Sequence, residues 1–121
     1  MARQLKQGAG WRLGWNPEAE VFQGLVGGDH WAIELTEAEL EDFCRLTVQL
    51  AHTLHQISSE LMDEERVSCE VESDRLWLEA EGFPQSFGLR LILLTGRGAE
   101  GAWSETAVPE LIEAVQMLKI F

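Results

Sequence analysis

Apolar and polar residues alternate along the chain between Gly10 and Leu35. A period of two is typical of strands that bury one face. We expect three strands here: one in GWRLGWN, one over residues 20–26 and one that ends at Leu35. Gly27-Gly28-Asp29 supplies the positive-φ positions that a tight hairpin needs between the second and third strands. The residues expected to face inward on the first and third strands are Trp11, Leu13, Trp15, Trp31, Ile33 and Leu35.

The period changes at Thr36, where we expect a long helix to begin. The Thr36 hydroxyl can cap the helix while the Glu39 side chain reaches back to the N–H of Thr36. Apolar residues then recur at spacings of three and four, which predicts one helix near residues 37–62. The apolar seam of this helix comprises Leu40, Phe43, Thr47, Leu50, Leu54, Ile57 and Leu61.

Alternation returns after the acidic stretch Asp63-Glu64-Glu65 and predicts a second set of strands. A turn at Ser73-Asp74 would set the register of the first two. The pairs expected in that register are Glu72 with Arg75, Val71 with Leu76, Cys69 with Leu78 and Arg66 with Glu81. A third strand, FGLRLILLT, carries Ile92 and Leu94 on the face opposite its inward leucines, so its end must be covered on both faces.

The glycine-rich segment GRGAEGAW is expected to be a loop that leads to a C-terminal helix near residues 107–119. Thr106 is the predicted cap of this helix, and Pro109 fits its first turn. The resulting order of strands, long helix, strands and helix is a two-fold repetition with no linker between its halves. We therefore predict a single α+β domain over residues 1–121, built from antiparallel sheets.

Composition is that of a globular protein with a strong negative charge. Hydrophobic residues make up 45% of the 121 residues, which is enough to build a core. With 9 Lys+Arg against 21 Asp+Glu, the net charge is 9 − 21 = −12. Such a charge repels phosphate groups, so nucleic acids and anionic membranes are disfavoured as partners.

A cytoplasmic location is predicted from three features of the chain. The first eleven residues contain no apolar run of the secretory type, and no later stretch approaches about 18 consecutive apolar residues. Cys44 and Cys69 lack the spacing of a metal or redox motif, so we expect both to be reduced thiols.

Three sequence features could carry chemistry, and each has a simpler interpretation. Residues 96–101 spell GxGxxG, but a dinucleotide site needs a following strand, and only one helix remains. His52 and His55 lie three apart on the long helix without a third ligand on the same face. Asp63-Glu64-Glu65 is typical of a solvated acidic turn. We therefore predict no catalytic residue, no cofactor and no metal site, and an enzyme is the less favoured class.

Trp77 differs from the other tryptophans because it shares a strand face with Glu70, Glu79 and Glu81. With Ile92 and Leu94, it indicates that the outer face of the second sheet meets either the last helix or another subunit. Nearby arginines and a further tryptophan could join that contact. The candidate interaction surface is Trp77, Arg90, Ile92, Leu94, Arg97 and Trp103.

The segments GWRLGWNP, LVGGDHWAIELTEAELEDF, LMDEE, DRLWLEAEGFP and FGLRLILLTGRGAEGAW occur in this order and span nearly the whole chain. On these segments the chain resembles an uncharacterised family of small cyanobacterial proteins. The resemblance implies a fold of the Whirly type, that of single-stranded-DNA-binding transcriptional regulators, with two repeats of antiparallel strands and a helix. Only three strands are evident before each helix, where that fold has four, and the basic lysine-containing motif of Whirly proteins is absent. The resemblance implies no activity and no catalytic residue.

The predicted function is a non-enzymatic, homodimeric, acidic module for binding or regulation, which acts through contacts with a protein partner whose identity the sequence does not reveal. We expect a dimer because the helical seam and the two apolar faces of the last strand exceed what one chain readily covers. The alternatives are a small-molecule enzyme with an acidic site and a weak single-stranded-DNA-binding regulator by analogy of fold.

Overall fold

A computed structural model of the protein describes residues 3–60 and 65–118. The first sheet contains β1 (Gln4–Gly8), β2 (Trp11–Trp15), β3 (Gly24–Gly27) and β4 (Ala32–Leu35), and α1 (Glu37–Glu60) follows it. The second sheet contains β5 (Val67–Glu72), β6 (Leu76–Phe83), β7 (Ser86–Leu93) and β8 (Glu100–Trp103), and α2 (Val108–Met117) follows it. In both sheets neighbouring strands are antiparallel and lie in chain order. The predicted α+β class with antiparallel sheets is confirmed.

Each sheet has one strand more than the sequence pattern indicates. The alternation does not predict β1, because QLKQG has a single large apolar residue. It does not predict β8, because EGAW is short and contains glycine and alanine. The segment GRGAEGAW is therefore only partly a loop. The strand expected over residues 20–26 begins at Gly24, because the preceding residues form a loop closed by a hydrogen bond from the Asn16 N–H to the Gln23 carbonyl at 2.7 Å.

α1 begins where the capping pattern predicts. The Glu39 N–H donates to Thr36 Oγ1 at 3.2 Å, and the Thr36 N–H donates to Glu39 Oε1 at 2.9 Å. The helix continues to Glu60, while Leu61 and the predicted end at 62 lie outside the described residues. The buried members of the seam are Leu40, Phe43, Thr47, Leu50 and Leu54, and Leu46, which the predicted seam does not include, is buried with them. Because these residues pack within one chain, they give no reason to expect a dimer.

The β5–β6 register differs from the expected one by two residues. Glu72 pairs with Trp77, residues 73–75 form the turn, and none of the four expected pairs is a cross-strand pair, although the Arg66 and Glu81 side chains form an ion pair. Ser73 Oγ accepts hydrogen bonds from the backbone N–H groups of Arg75 and Leu76, at 3.1 and 3.3 Å. The expected two-residue turn is wrong because the Ser73 side chain stabilises a wider one. Arg75 lies within this turn and does not face Glu72.

α2 begins at Val108 without a side-chain cap. Thr106, the expected cap, instead shares a hydrogen bond with the Ser104 hydroxyl at 2.9 Å, so this prediction is wrong. Pro109 lies in the first turn, as expected, where its missing N–H loses no helical hydrogen bond. The helix ends at Met117, and the predicted end at 119 lies outside the described residues.

Both helices lie against the inner faces of the sheets. α1 contacts β3, β4, β5 and β6, whereas α2 contacts β2, β7 and α1. The sheets meet where β4 approaches β8, and there the ring centroid of Trp103 lies 5.1 Å from that of Trp31 and 5.6 Å from that of Phe43. Along β6 and β7 the inward residues are buried, while their outward neighbours are half-buried or exposed. The outer face of the second sheet is therefore open to solvent.

Candidate interaction surface

The outer face of the second sheet is built from every second residue of its four strands. Cross-strand pairing aligns these residues in rows. The first row is Glu72, Trp77, Ile92 and Glu100, and the second row is Glu70, Glu79, Arg90 and Ala102. Their neighbours along the strands, such as Leu78 and Leu91, are fully buried on the inner face. The same alternation that fills the core thus presents apolar side chains among glutamates on the outer face.

Trp77 and its neighbours form a strip of apolar surface on this face. Trp77 lies directly across from Ile92, and both side chains are half-buried. Leu94, which follows β7, is 46% exposed. The guanidinium carbon of Arg90 lies 5.7 Å from the centroid of the Trp77 ring, a distance at which the ring attracts a cation. We call Trp77, Ile92 and Leu94 the apolar strip.

A groove of about 470 Å³ crosses the outer face near the β6–β7 turn. Its charged lining residues are Arg66, Glu79, Glu81, Arg90 and Glu105. Arg66 and Glu81 form an exposed ion pair at 3.1 Å. The other glutamates give the groove, like the rest of the outer face, an excess of negative charge.

Phe83 supplies an exposed aromatic wall of this groove. The side chain is 36% exposed, and the guanidinium carbon of Arg66 lies 5.3 Å from its ring centroid. Gly88 also lines the groove, and a Cβ atom there would come within 3.0 Å of the Trp103 carbonyl oxygen. The alternation of apolar and polar residues does not single out Phe83, the last residue of β6, so it gives no sign of this groove.

Trp103 belongs to the core, so its place in the predicted surface is wrong. The side chain is 3% exposed, and its Nε1 donates a hydrogen bond to the Gly27 carbonyl at 2.8 Å. β8 directs the indole inward, against Trp31 and Phe43 at the junction of the sheets. The glycine-rich segment before Trp103 has no alternation of apolar and polar residues, so the sequence does not indicate that this side chain faces the core.

Arg97, a member of the predicted interaction surface, makes contacts within the chain. It donates to the Glu34 carbonyl at 2.6 Å and to the Glu39 carboxylate, and it lies 4.7 Å from the Phe22 ring centroid. The buried Glu39 also accepts a hydrogen bond from Thr95 Oγ1 at 2.8 Å. Arg97, Thr95 and Glu39 thus form a clamp between the β7–β8 loop and the start of α1.

The glycines of the GxGxxG segment have structural roles. Gly96 and Gly98 adopt φ values of 92° and 67°, a region that favours glycine. Gly101 lies against Trp31, and a Cβ atom at this position would come within 2.3 Å of the indole ring. Turn geometry and close packing therefore explain the motif.

Asp42 is a second buried carboxylate on α1. Its Oδ2 accepts hydrogen bonds from Ser73 Oγ at 2.7 Å and from Arg75 at 3.3 Å, and its Oδ1 accepts one from Arg45 at 3.3 Å. Burial opposes the charge, but the hydrogen bonds from Ser73, Arg75 and Arg45 outweigh it and hold the pKa of Asp42 below its ordinary value. Arg75 therefore anchors the β5–β6 turn to α1.

The structure describes both histidines of α1 and one residue of the acidic stretch. His52 and His55 are exposed. Within residues 3–60 and 65–118, no group of three or more His, Cys, Asp or Glu side chains could hold a metal ion. Asp63 and Glu64 lie outside the described residues, so the structure describes only Glu65 of the acidic stretch.

Cys44 and Cys69 are free thiols, and each is half-buried. Burial, with a smaller contribution from the negative charge of Glu41, raises the pKa of Cys44 to about 12. Because the thiolate is the reactive form, Cys44 is unreactive at neutral pH.

Comparison with known proteins places the chain in a family. Residues 6–118 match the model of DUF1818, a domain of unknown function. The chain belongs to the DUF1818 family. A crystal structure of a protein of unknown function from Prochlorococcus sp. NATL2A, ascribed to the DUF155 family, matches the DUF1818 chain with a TM-score of 0.89 and 28% identity, over 96% of this chain and 98% of the other. Prochlorococcus is a cyanobacterium, which agrees with the cyanobacterial resemblance of the sequence.

Two further comparisons concern the DUF1818 chain. No curated protein matches it. In the part of the chain that the structure describes, neither helix has the length and apolar character needed to cross a membrane.

Proposed function

We propose that this DUF1818 protein is a non-enzymatic binding or regulatory module, a single cytoplasmic domain that acts through protein contacts at the outer face of the second sheet. The observation that carries the proposal is the apolar strip of Trp77, Ile92 and Leu94 beside a groove with an exposed aromatic wall. Contiguous exposed apolar surface with a polar rim is typical of protein-binding sites. Tryptophan and arginine, which meet here as Trp77 and Arg90, often carry most of the binding energy.

The charge of the outer face defines the chemistry of the partner. Its acidic strand residues are Glu70, Glu72, Glu79, Glu81 and Glu100. A second copy of the same face would bring these carboxylates together, and like charges across an interface oppose binding. We therefore infer a partner segment in which lysine or arginine flanks an apolar side chain. The apolar group would cover the strip while the cations meet the glutamates.

Titration with designed peptides tests this partner chemistry. A short peptide of alternating Lys and Leu is compared with one of alternating Glu and Leu, and binding is followed by the amide NMR shifts of β6 and β7. We expect the Lys peptide to perturb residues around Trp77 and Ile92, and the effect to be lost in Trp77→Ala. Equal binding of the two peptides, or shifts centred on the first sheet, would contradict the inference.

We also propose a homodimer. The seam of α1 is buried within one chain and does not support a dimer. Leu5 and Met117, however, are 57% and 59% exposed, and both line one groove. Exposed apolar side chains that share a concave surface favour association. Light scattering at micromolar concentration should give twice the chain mass of 13.6 kDa, and the mass of one chain would reject the dimer.

A fold of the Whirly type is part of the proposal, and it makes single-stranded DNA a second candidate ligand. The support is the order of elements, because four antiparallel strands and a helix occur twice. Arg90 beside Trp77 is a combination of cation and aromatic ring that single-strand binders use. The glutamates in the same two rows oppose a phosphate backbone, so we rank DNA below a basic protein segment.

A further inference from the structure

The two sheets have edge strands of different character. β1 and β5 are the outermost strands of their sheets, whereas β4 and β8 approach each other. An edge strand presents unpaired N–H and C=O groups to any further strand, and charged side chains discourage such pairing. β5 carries two charged side chains, Glu70 and Glu72, whereas β1 carries only one, Lys6, together with the exposed Leu5. β1 is therefore the edge that is better suited to pair with another strand.

A groove of about 500 Å³ runs between β1 and α2. Leu5 at the β1 edge and Met117 on α2, two of the most exposed large apolar side chains among the described residues, both line it. Trp11 also lines the groove, and its Nε1 donates to Glu110 Oε1 at 3.0 Å. The groove thus combines the outermost strand of the first sheet with apolar walls.

The charges around this groove are complementary to each other. Lys6 lies on β1 and Glu113 on α2, and neither side chain makes a hydrogen bond or ion pair within the described residues. In a two-fold contact the same patch faces itself, so each positive group of one protomer can meet a negative group of its partner. A patch with Lys6 on the strand and Glu113 on the helix satisfies this condition, while the second glutamate of the groove, Glu110, accepts the hydrogen bond from Trp11. The all-acidic outer face of the second sheet does not.

We propose that two copies of this chain pair their β1 strands antiparallel about a two-fold axis, which joins two four-stranded sheets into one of eight strands. Leu5 and Met117 of each protomer cover the groove at the junction, and Lys6 of one protomer meets Glu113 of its partner. This geometry rests on the proposed homodimer. Because a five-residue strand is short, the groove walls must contribute to an interface of stable size, about 1,200 Å² or more in total.

Light scattering of matched variants tests separately whether the dimer exists and whether it has the proposed geometry. We expect Leu5→Glu and Met117→Glu each to weaken dimerisation about tenfold or more, since each buries a charge in the apolar junction. Val21→Glu is the control, because Val21 is equally exposed, at 57%, but lies in the β2–β3 loop and does not line the groove. A monomeric wild type would reject both the homodimer and the geometry. A dimer that survives both groove variants would reject the geometry alone.

A charge exchange tests the proposed contact in a way that misfolding cannot imitate. Lys6→Glu and Glu113→Lys should each weaken the dimer, whereas the double variant restores the pair with its signs exchanged and should recover dimerisation. Failure of the double variant to exceed both single variants would overturn this contact.

Hydrogen exchange distinguishes a second copy from any other occupant of the β1 edge. Outward amides of β1 should gain protection as the protein concentration rises through the dimer range, while β5 amides remain unchanged. Protection of β1 that does not depend on protein concentration would show that the chain covers this edge itself, and the proposal would be wrong.

Discussion

The outer faces of the two sheets differ in whether their arginine side chains already form hydrogen bonds within the chain. On the first sheet, Arg12 donates to the Gly28 carbonyl at 2.9 Å and to the Trp31 carbonyl at 2.7 Å. The loop between β2 and β3 lies beside this face and, with Gly14 and Leu25, lines a cavity of only about 200 Å³. On the second sheet, Arg90 has the Trp77 ring as its neighbour, and the groove is more than twice as large.

This difference indicates which face is available to a partner. Arg12 is committed to two backbone carbonyls, and a partner could bind its guanidinium only by breaking these part-buried hydrogen bonds. Within residues 3–60 and 65–118 the Arg90 side chain makes no hydrogen bond, so it can bind a partner group without breaking one. The first outer face therefore serves the fold, while the second retains the strip and groove that protein binding requires.

The inner and outer tryptophans of the second sheet should give the largest contrast. Trp103→Ala removes a buried indole at the junction of the sheets and should lower the free energy of unfolding by about 3–5 kcal/mol. Trp77→Ala, on the half-buried outer face, should lower it by about 1 kcal/mol. Urea denaturation of both variants measures the contrast, and equal losses would show that Trp77 is part of the core.

Breaking the clamp should have the next largest effect. Glu39→Ala leaves Arg97 and Thr95 without their acceptor and removes the capping side chain of α1, so we expect a loss of about 2–3 kcal/mol. Thr106→Ala is a matched control, because its hydroxyl contacts only Ser104 among the described residues. A clamp variant as stable as this control in urea denaturation would contradict the role of Glu39.

The helix seam and the inward face of the first strands could be predicted because the period of apolar residues records which face is buried. β1 could not, because a strand held by backbone hydrogen bonds needs no apolar alternation. The Arg97–Glu39 contact joins residues 58 apart in the chain, and no local pattern encodes such a pairing. Trp77 and Ile92 could be found from the sequence because charged residues on their own strand face mark them as outward.

Acid should weaken the attachment of the β5–β6 turn to α1. The pKa of Asp42 is lower in the folded protein than its ordinary value of 3.8. Its contribution to stability is therefore fully present above the unfolded pKa and is lost as the pH falls through the folded pKa. We expect Asp42→Asn to be less stable than wild type at neutral pH, by about 1 kcal/mol, and the gap should narrow below about pH 4. A gap that is constant across this range in urea titrations would show that Asp42 does not carry the effect.

Single-stranded DNA should bind no tighter than about 10⁻⁴–10⁻⁶ M at physiological salt, the range of non-specific binding. The variant Glu79→Lys, on the same row as Arg90, should improve binding a few-fold by removing repulsion. Fluorescence titration of a labelled oligonucleotide at two salt concentrations measures this. Submicromolar binding by the wild type that weakens steeply with salt would contradict the ranking of the two candidate ligands.

Affinity capture from a cyanobacterial extract tests most directly whether the outer face of the second sheet is the protein-binding surface. The bait proteins are the wild type, Ile92→Asp in the apolar strip, and Val48→Asp, whose exposed side chain lies on α1. Circular dichroism first establishes that all three are folded. We predict that a defined set of proteins is retained by the wild type and Val48→Asp and lost by Ile92→Asp. Retention of the same set by all three baits would contradict the account.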